Sequence, residues 1–230
     1  MWMMIVSLKK KIALTHDVFE LHYQLPEILT MKAGQFFTFI IPWVGGRSYS
    51  ALDLQWDIAI LIIKKWDKQS GWRWGSVILC DAEIWDEFKA VGPAGHFLLW
   101  ENSENKLFLG TGTGLVPLYN QILVGLAKNT SEKYQLVFGV RYANDMFYTE
   151  EFERLKEQYP DRFFYHLVTS RSEPEGMIKK WYVTDFLSSK VVKDYKEFYI
   201  CGAPGMIDWC QERLTDLWVS QEKVFFEKYA

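Results

Sequence analysis

The chain has 230 residues, 49% apolar, 24% charged and 17% aromatic, which is the balance of an ordinary soluble globular protein with room for one large domain or two small ones. A formal net charge of −3 lacks the basic footprint of a nucleic-acid-binding protein. Three cysteines, Cys80, Cys201 and Cys210, without a C-x-x-C pair argue against zinc, an iron–sulfur cluster or a disulfide framework, so no metal is expected and a reducing, cytoplasmic setting fits.

The start, Met1 to Leu8, is apolar but then meets Lys9-Lys10-Lys11, the wrong polarity for a signal peptide. No apolar run reaches membrane-spanning length, so no membrane partner is expected. Residues 1–101 read as strands and turns. Val18–Tyr23, Phe36–Ile41 and Ile58–Ile63 are β-rich runs, the last apolar enough to be buried on both faces. Gly92-Pro93-Ala94-Gly95 reads as a turn. Short strands with little helical period predict an antiparallel barrel.

The polar run Glu101–Asn105 marks the boundary, and residues 102–230 change pattern. Leu107–Leu109 is a strand, Leu115–Leu126 a helix and Tyr134–Val140 a strand. Thr149 is expected as the N-cap of a helix with Glu150, Glu151 and Glu153 in its first turn. Phe163–Val168 is a strand, Val183–Leu187 a short helix, Phe198–Ile200 a strand, Pro204–Trp218 a helix and Lys223–Phe226 a last strand. Alternating strands and helices predict a parallel sheet with crossover helices.

Two stretches invite chemistry. Gly110-Thr111-Gly112-Thr113-Gly114 is a glycine-rich strand–helix turn, neither G-x-G-x-x-G nor a Walker A loop. Its glycines let backbone amides approach a phosphate at a helix N-terminus, although a plain strand–helix turn also favours glycine. Arg47-Ser48-Tyr49-Ser50 places a cation, a flat aromatic and hydroxyls on one short strand.

Taken in order, these motifs resemble the ferredoxin–NADP reductase family of two-domain flavoenzymes, most closely its bacterial ferredoxin and flavodoxin reductases. The resemblance rests on Ala33-Gly34-Gln35-Phe36, Arg47-Ser48-Tyr49-Ser50, Gly75-Ser76, Gly92–Phe97, Gly110–Pro117 and Cys201-Gly202-Ala203-Pro204-Gly205-Met206, and so spans essentially the whole chain. It implies an antiparallel Greek-key FAD-binding β-barrel (1–101) and a doubly wound NAD(P)-binding domain (102–230), with FAD in the crevice between them. The implied reaction is hydride transfer between NAD(P)H and flavin N5, then single electrons to or from a ferredoxin or flavodoxin. Alternatives within the resemblance are the reductase component of an oxygenase, a free-flavin reductase and an electron-transfer subunit of a larger complex.

The resemblance also assigns residues. Arg47, with Ser48 in the same motif, would pair with the flavin pyrophosphate, Tyr49 would lie against the ring and Ser50 would hydrogen-bond N5. Ile62, Ile63 and Lys64 would run beside the flavin, while Gly75 and Ser76 would hold the pyrophosphate. Trp72 and Trp74 alternate on a strand-like segment and share a face; either one stacks on the FAD adenine or both are packing residues. Gly112, Thr113 and Gly114 would hold the dinucleotide pyrophosphate, with Gly202, Pro204 and Met206 in the facing loop. Cys201 would sit near nicotinamide C4, with Glu227 beside it and Tyr229 covering the flavin as a gate. Arg141, Ser170 and Arg171 favour NADPH, with NADH the other possibility. A further arginine usual in the family is missing, and Lys179 and Lys180 stand nearby as substitutes. FAD rather than FMN rests on the resemblance alone.

Overall fold

The computed structural model of the chain describes residues 3–66, 74–173 and 176–229. The chain divides into two compact units, Met1–Leu99 and Trp100–Ala230. In the first, β1 (Met3–Ala13), β2 (Val18–Gln24), β3 (Phe36–Ile41), β4 (Gly45–Gln55), β5 (Ile58–Lys64) and β6 (Glu87–Ala94) close into an antiparallel barrel of order β1-β2-β5-β4-β3-β6. Closure leaves no strand edge unpaired, because β6 bonds to both β1 and β3. Leu8, Leu21, Tyr23, Phe37, Phe39, Leu61 and Ile63 fill its core. Ala59–Ile63 is buried throughout, as its unbroken apolar run predicts.

Two expectations change here. Gly92-Pro93-Ala94 is the end of strand β6 rather than a free turn. The segment read as strand-like around Trp74 is instead the start of helix α1 (Trp74–Asp81), and Trp72 lies outside the described residues. Leu79 and Cys80 join the barrel core from this helix, so a helical face of apolar residues prevails over alternation.

The second unit is a sheet of six parallel strands. Its elements are β7 (Lys106–Thr111), α2 (Leu115–Leu126), β8 (Tyr134–Val140), α3 (Thr149–Gln158), β9 (Phe163–Thr169), β10 (Ile178–Lys180), α4 (Val191–Asp194), β11 (Glu197–Gly202), α5 (Pro204–Asp216) and β12 (Val224–Lys228). Both faces are covered. Leu107 and Leu109 pack with Ile207, Cys210 and Leu214 of α5. On the other face Phe108 stacks on Tyr199 at 5.0 Å, and a Cβ at Gly125 of α2 would lie 2.4 Å from the Tyr134 ring. Thr149 is the first residue of α3, not its cap; Tyr148 holds the cap position at φ 65. The short helix expected at residues 183–187 is a single 3-10 turn, Val183–Phe186. Among the described residues no helix is long and apolar enough to cross a membrane.

The order β10-β9-β8-β7-β11-β12 reverses between β7 and β11. Chains leaving these two strands part in opposite directions and open a crevice at their C-terminal ends, where α/β sheets bind ligands. The opposite end of the same strands is closed by Lys106 and Glu197, each 1% exposed, with Nζ and Oε2 3.5 Å apart. Lys106 donates to Asn102 Oδ1 at 2.9 Å and to the Glu104 carbonyl at 2.8 Å, while Glu197 accepts from the Tyr199 hydroxyl at 3.2 Å.

Candidate functional site

In the barrel unit, Arg47, Ser48, Tyr49 and Ser50 all lie on β4, opposite β3. Strand alternation puts Arg47 and Tyr49 on one face. Gly75 lets the start of α1 come against both: a Cβ there would stand 2.7 Å from Arg47 Cγ and 3.3 Å from the Tyr49 hydroxyl. A helix N-terminus carries unsatisfied amides and the positive end of the helix dipole. Set beside a guanidinium that donates to the Gly46 carbonyl at 2.8 Å, it forms a cradle suited to a phosphate. Ser76 is 5% exposed, and its hydroxyl accepts from the Trp66 amide at 3.3 Å.

The other flavin-side residues are placed unevenly. Ser50 is buried, whereas Ser48 is exposed and shares a 2.9 Å hydrogen bond with Thr38. Burial, with Cys80 nearby, raises the Tyr49 phenol, so it stays a neutral donor. Ile62 and Ile63 are buried in β5, and the Lys64 ammonium pairs with Asp17 at 2.8 Å. Trp74 is half exposed at the head of α1.

In the sheet unit, the predicted glycine turn lies at the switch point. Gly112–Gly114 forms a 3-10 turn leading into α2. Gly112 has φ +55 and open space within 4 Å of its Cβ position, leaving room above the backbone. Gly114 is required by a different contact, since a Cβ there would fall 2.3 Å from the Cys201 carbonyl oxygen. Thr111 joins the two loops: its hydroxyl accepts from the Ala203 amide at 3.3 Å, and a Cβ at Gly202 would sit 2.2 Å from it. Thr111 is the residue that the motif reading passed over, although it stands inside the glycine run. Pro204 opens α5 at this point, and the Met206 sulfur lies 3.6 Å from Cys210 Sγ.

Cys201, Glu227 and Tyr229 are brought together by parallel pairing of β11 with β12. Cys201 stands opposite Glu227, and the Tyr229 amide donates to the Gly202 carbonyl at 2.9 Å. Burial pushes the Cys201 thiol well above its ordinary range, and Glu227 adds to this while hydrogen bonding with Tyr229 opposes it. The group is a neutral thiol rather than a reactive thiolate.

Arg141, Ser170 and Arg171 also converge. The Ser170 amide donates to the Val140 carbonyl at 3.1 Å and the Arg171 amide to the Arg141 carbonyl at 2.9 Å, extending the pairing past β8 and β9. The Arg171 guanidinium reaches the Tyr142 hydroxyl at 3.5 Å, a contact not foreseen in the sequence. Lys179 and Lys180 lie on the next strand, but Lys180 is ion-paired with Glu173.

Residues 108–212 match the oxidoreductase NAD-binding domain family. The F subunit of the Na(+)-translocating NADH-quinone reductase of a Marinomonas species is 30% identical over 152 residues, 63% of this chain. The chain spans 37% of the length of that relative. Among solved structures, a cytochrome P450 reductase from Amycolatopsis is similar over 99% of this chain and 69% of its own, at TM-score 0.86 and 23% identity. A ferredoxin NADP+ reductase from Neisseria gonorrhoeae, with bound FAD and NADP, is similar over 98% of both chains, at TM-score 0.83 and 17% identity.

Proposed function

We propose that this chain, which matches the oxidoreductase NAD-binding domain family over residues 108–212 and shares its fold with a ferredoxin NADP+ reductase, oxidises NAD(P)H with a bound FAD, which would supply hydride acceptance at N5 and release of the electrons one at a time. The observation that carries the flavin half is the N-terminus of α1 held against Arg47 and Tyr49 by Gly75. Arg47 and the amides around Gly75 and Ser76 bind the pyrophosphate, with Ser48 beside them. Tyr49 lies along the ring, Ser50 donates at N5, and the strand Ile62-Ile63-Lys64 and Trp74 line the flavin. Gly112, Thr113 and Gly114 hold the dinucleotide phosphates against Gly202, Pro204 and Met206. Cys201, kept neutral, positions the nicotinamide by contact, with Glu227 beside it and Tyr229 as a displaceable cover.

Arg141 and Arg171 offer two cations to a 2′-phosphate, with Ser170 between them, which supports NADPH as the preferred nucleotide. NADH is the nucleotide in the relatives' name. The electron partner under this reading is a ferredoxin or flavodoxin in the cytoplasm. A second reading, a reductase component serving an oxygenase or a larger complex, is favoured by the names of the P450 reductase and the quinone reductase.

Anaerobic mixing of the flavin-loaded protein with NADPH, and separately NADH, tests the core of this. Bleaching of the flavin bands is expected, faster with NADPH; a protein that takes up neither FAD nor FMN overturns it. Replacing Arg47 with alanine should weaken flavin binding by about ten- to a hundredfold, the worth of a charge-assisted hydrogen bond. Turnover with ferredoxin, flavodoxin, free flavin and a P450-type acceptor then separates the two readings.

A further inference from the structure

Five residues other than glycine have a positive φ among the described residues, and four of them are tryptophan: Trp43, Trp56, Trp85 and Trp218. Bulky side chains in this region are outliers, because Cβ crowds the carbonyl. The fifth, Tyr148, has an evident packing reason, with Tyr119 and Phe147 rings each 5.7 Å away. The four indoles have no such reason, being 103%, 80%, 66% and 95% exposed in the order given. Lys9 Nζ does lie 3.5 Å from the Trp85 ring.

Each of the four stands where a defined turn requires glycine. Val44 donates to the Ile41 carbonyl at 3.1 Å across Pro42-Trp43, and Trp43 has φ 66. Proline followed by a positive φ is a type II turn, whose third residue is glycine's place. Asp86 donates to the Glu83 carbonyl at 3.1 Å across Ile84-Trp85, with φ 83 at the same position. Trp56-Asp57 is the two-residue link between paired Gln55 and Ile58, and only its first residue has positive φ, the pattern of a type II′ turn. Trp218 follows α5: its amide donates to Thr215 at 2.9 Å and that of Val219 to Leu214 at 3.0 Å. Those two bonds make a Schellman motif with Trp218 at the glycine position.

The positions share no common element. Trp43 precedes the 11-residue strand β4 and Trp56 follows it, while Trp218 belongs to the other unit. What they share is a positive φ. Among the described residues, the other positive-φ positions outside Tyr148 are glycines: Gly34, Gly45, Gly95, Gly112, Gly176 and Gly202.

We propose that positions 43, 56, 85 and 218 are glycine in the protein as its own cells make it. The codon there is UGA, one base from the tryptophan codon UGG and assigned differently in different genetic codes, and it is read as glycine. This explains four largely exposed indoles at four unrelated turns by one cause, and it is independent of the cofactor reading.

Peptide mass spectrometry of the protein purified from its source cells tests this directly. Glycine is expected at all four positions, and tryptophan at any of them overturns the proposal. A second measurement tests the physical argument without the source cells. The recombinant chain carrying Trp43→Gly, Trp56→Gly, Trp85→Gly and Trp218→Gly should melt several degrees above the chain with tryptophan, because relief of left-handed strain outweighs the added freedom of the unfolded chain. An equal or lower midpoint overturns the claim that these turns are built for glycine.

Discussion

The two ends of the parallel sheet in the second unit are both polar, yet they do opposite things. At the N-terminal end, Lys106 and Glu197 are buried and bonded to each other's neighbours: Asn102, Glu104 and Tyr199. Trp100 adds its amide to the Tyr199 hydroxyl at 2.9 Å. At the C-terminal end, glycines replace side chains, and Gly112 has open space where a Cβ would be. Polar groups that satisfy one another hold structure, whereas backbone amides in a roomy glycine turn can serve a ligand. Polarity alone does not mark a site; room beside it does.

The largest effect should come from breaking the closed end. Glu197→Ala leaves the Lys106 ammonium buried beside a lost partner and should cost about 3–5 kcal/mol in chemical unfolding. Replacing both with Met and Leu should restore most of that stability. If the single variant unfolds at the parent's denaturant midpoint, the pair is not the structural clamp described.

Next is Gly114→Ala at the open end. Its methyl would meet the Cys201 carbonyl, forcing the two loops apart at about 1–3 kcal/mol. NAD(P)H affinity, read by fluorescence titration, should fall by about tenfold or more while flavin content is unchanged. Arg171→Ala should be milder, reducing the NADPH-to-NADH preference without altering the maximal bleaching rate. An unchanged ratio would remove Arg171 from the 2′-phosphate site.

A pH dependence, negligible near neutrality, is the last test. Burial raises the Cys80 and Cys210 thiols from 9.0 to about 12. The native state therefore keeps protons that the unfolded chain releases. Their contribution is intact below pH 9 and is lost as pH rises toward 12. Urea midpoints across this range should decline less steeply in a Cys80→Ala/Cys210→Ala variant, and parallel curves would refute the assignment.

Much of this was legible from local pattern. The strands at 18–24, 36–41, 58–64 and 134–140 and the helix at 115–126 follow periodicity read directly from the chain. Helix α1 was not, because its Val77-Ile78-Leu79-Cys80 run fits a strand or a helix equally well until the barrel core accepts Leu79 and Cys80. The same holds at finer scale for Thr149, where the cap moved one residue because Tyr148 found ring partners in the left-handed region.

By itself the sequence determined the barrel-then-sheet order, the residue types able to meet phosphate and ring, and the glycine run at a strand–helix junction. These depend on side-chain period and backbone freedom, which act over a few neighbours. Only tertiary structure decided that Gly75 faces Arg47, that Thr111 receives the Ala203 amide, that Glu227 stands across from Cys201 and that Arg171 meets Tyr142. Each joins segments far apart in the chain or on different strands, and their meeting is set by sheet order and register, which no local pattern encodes.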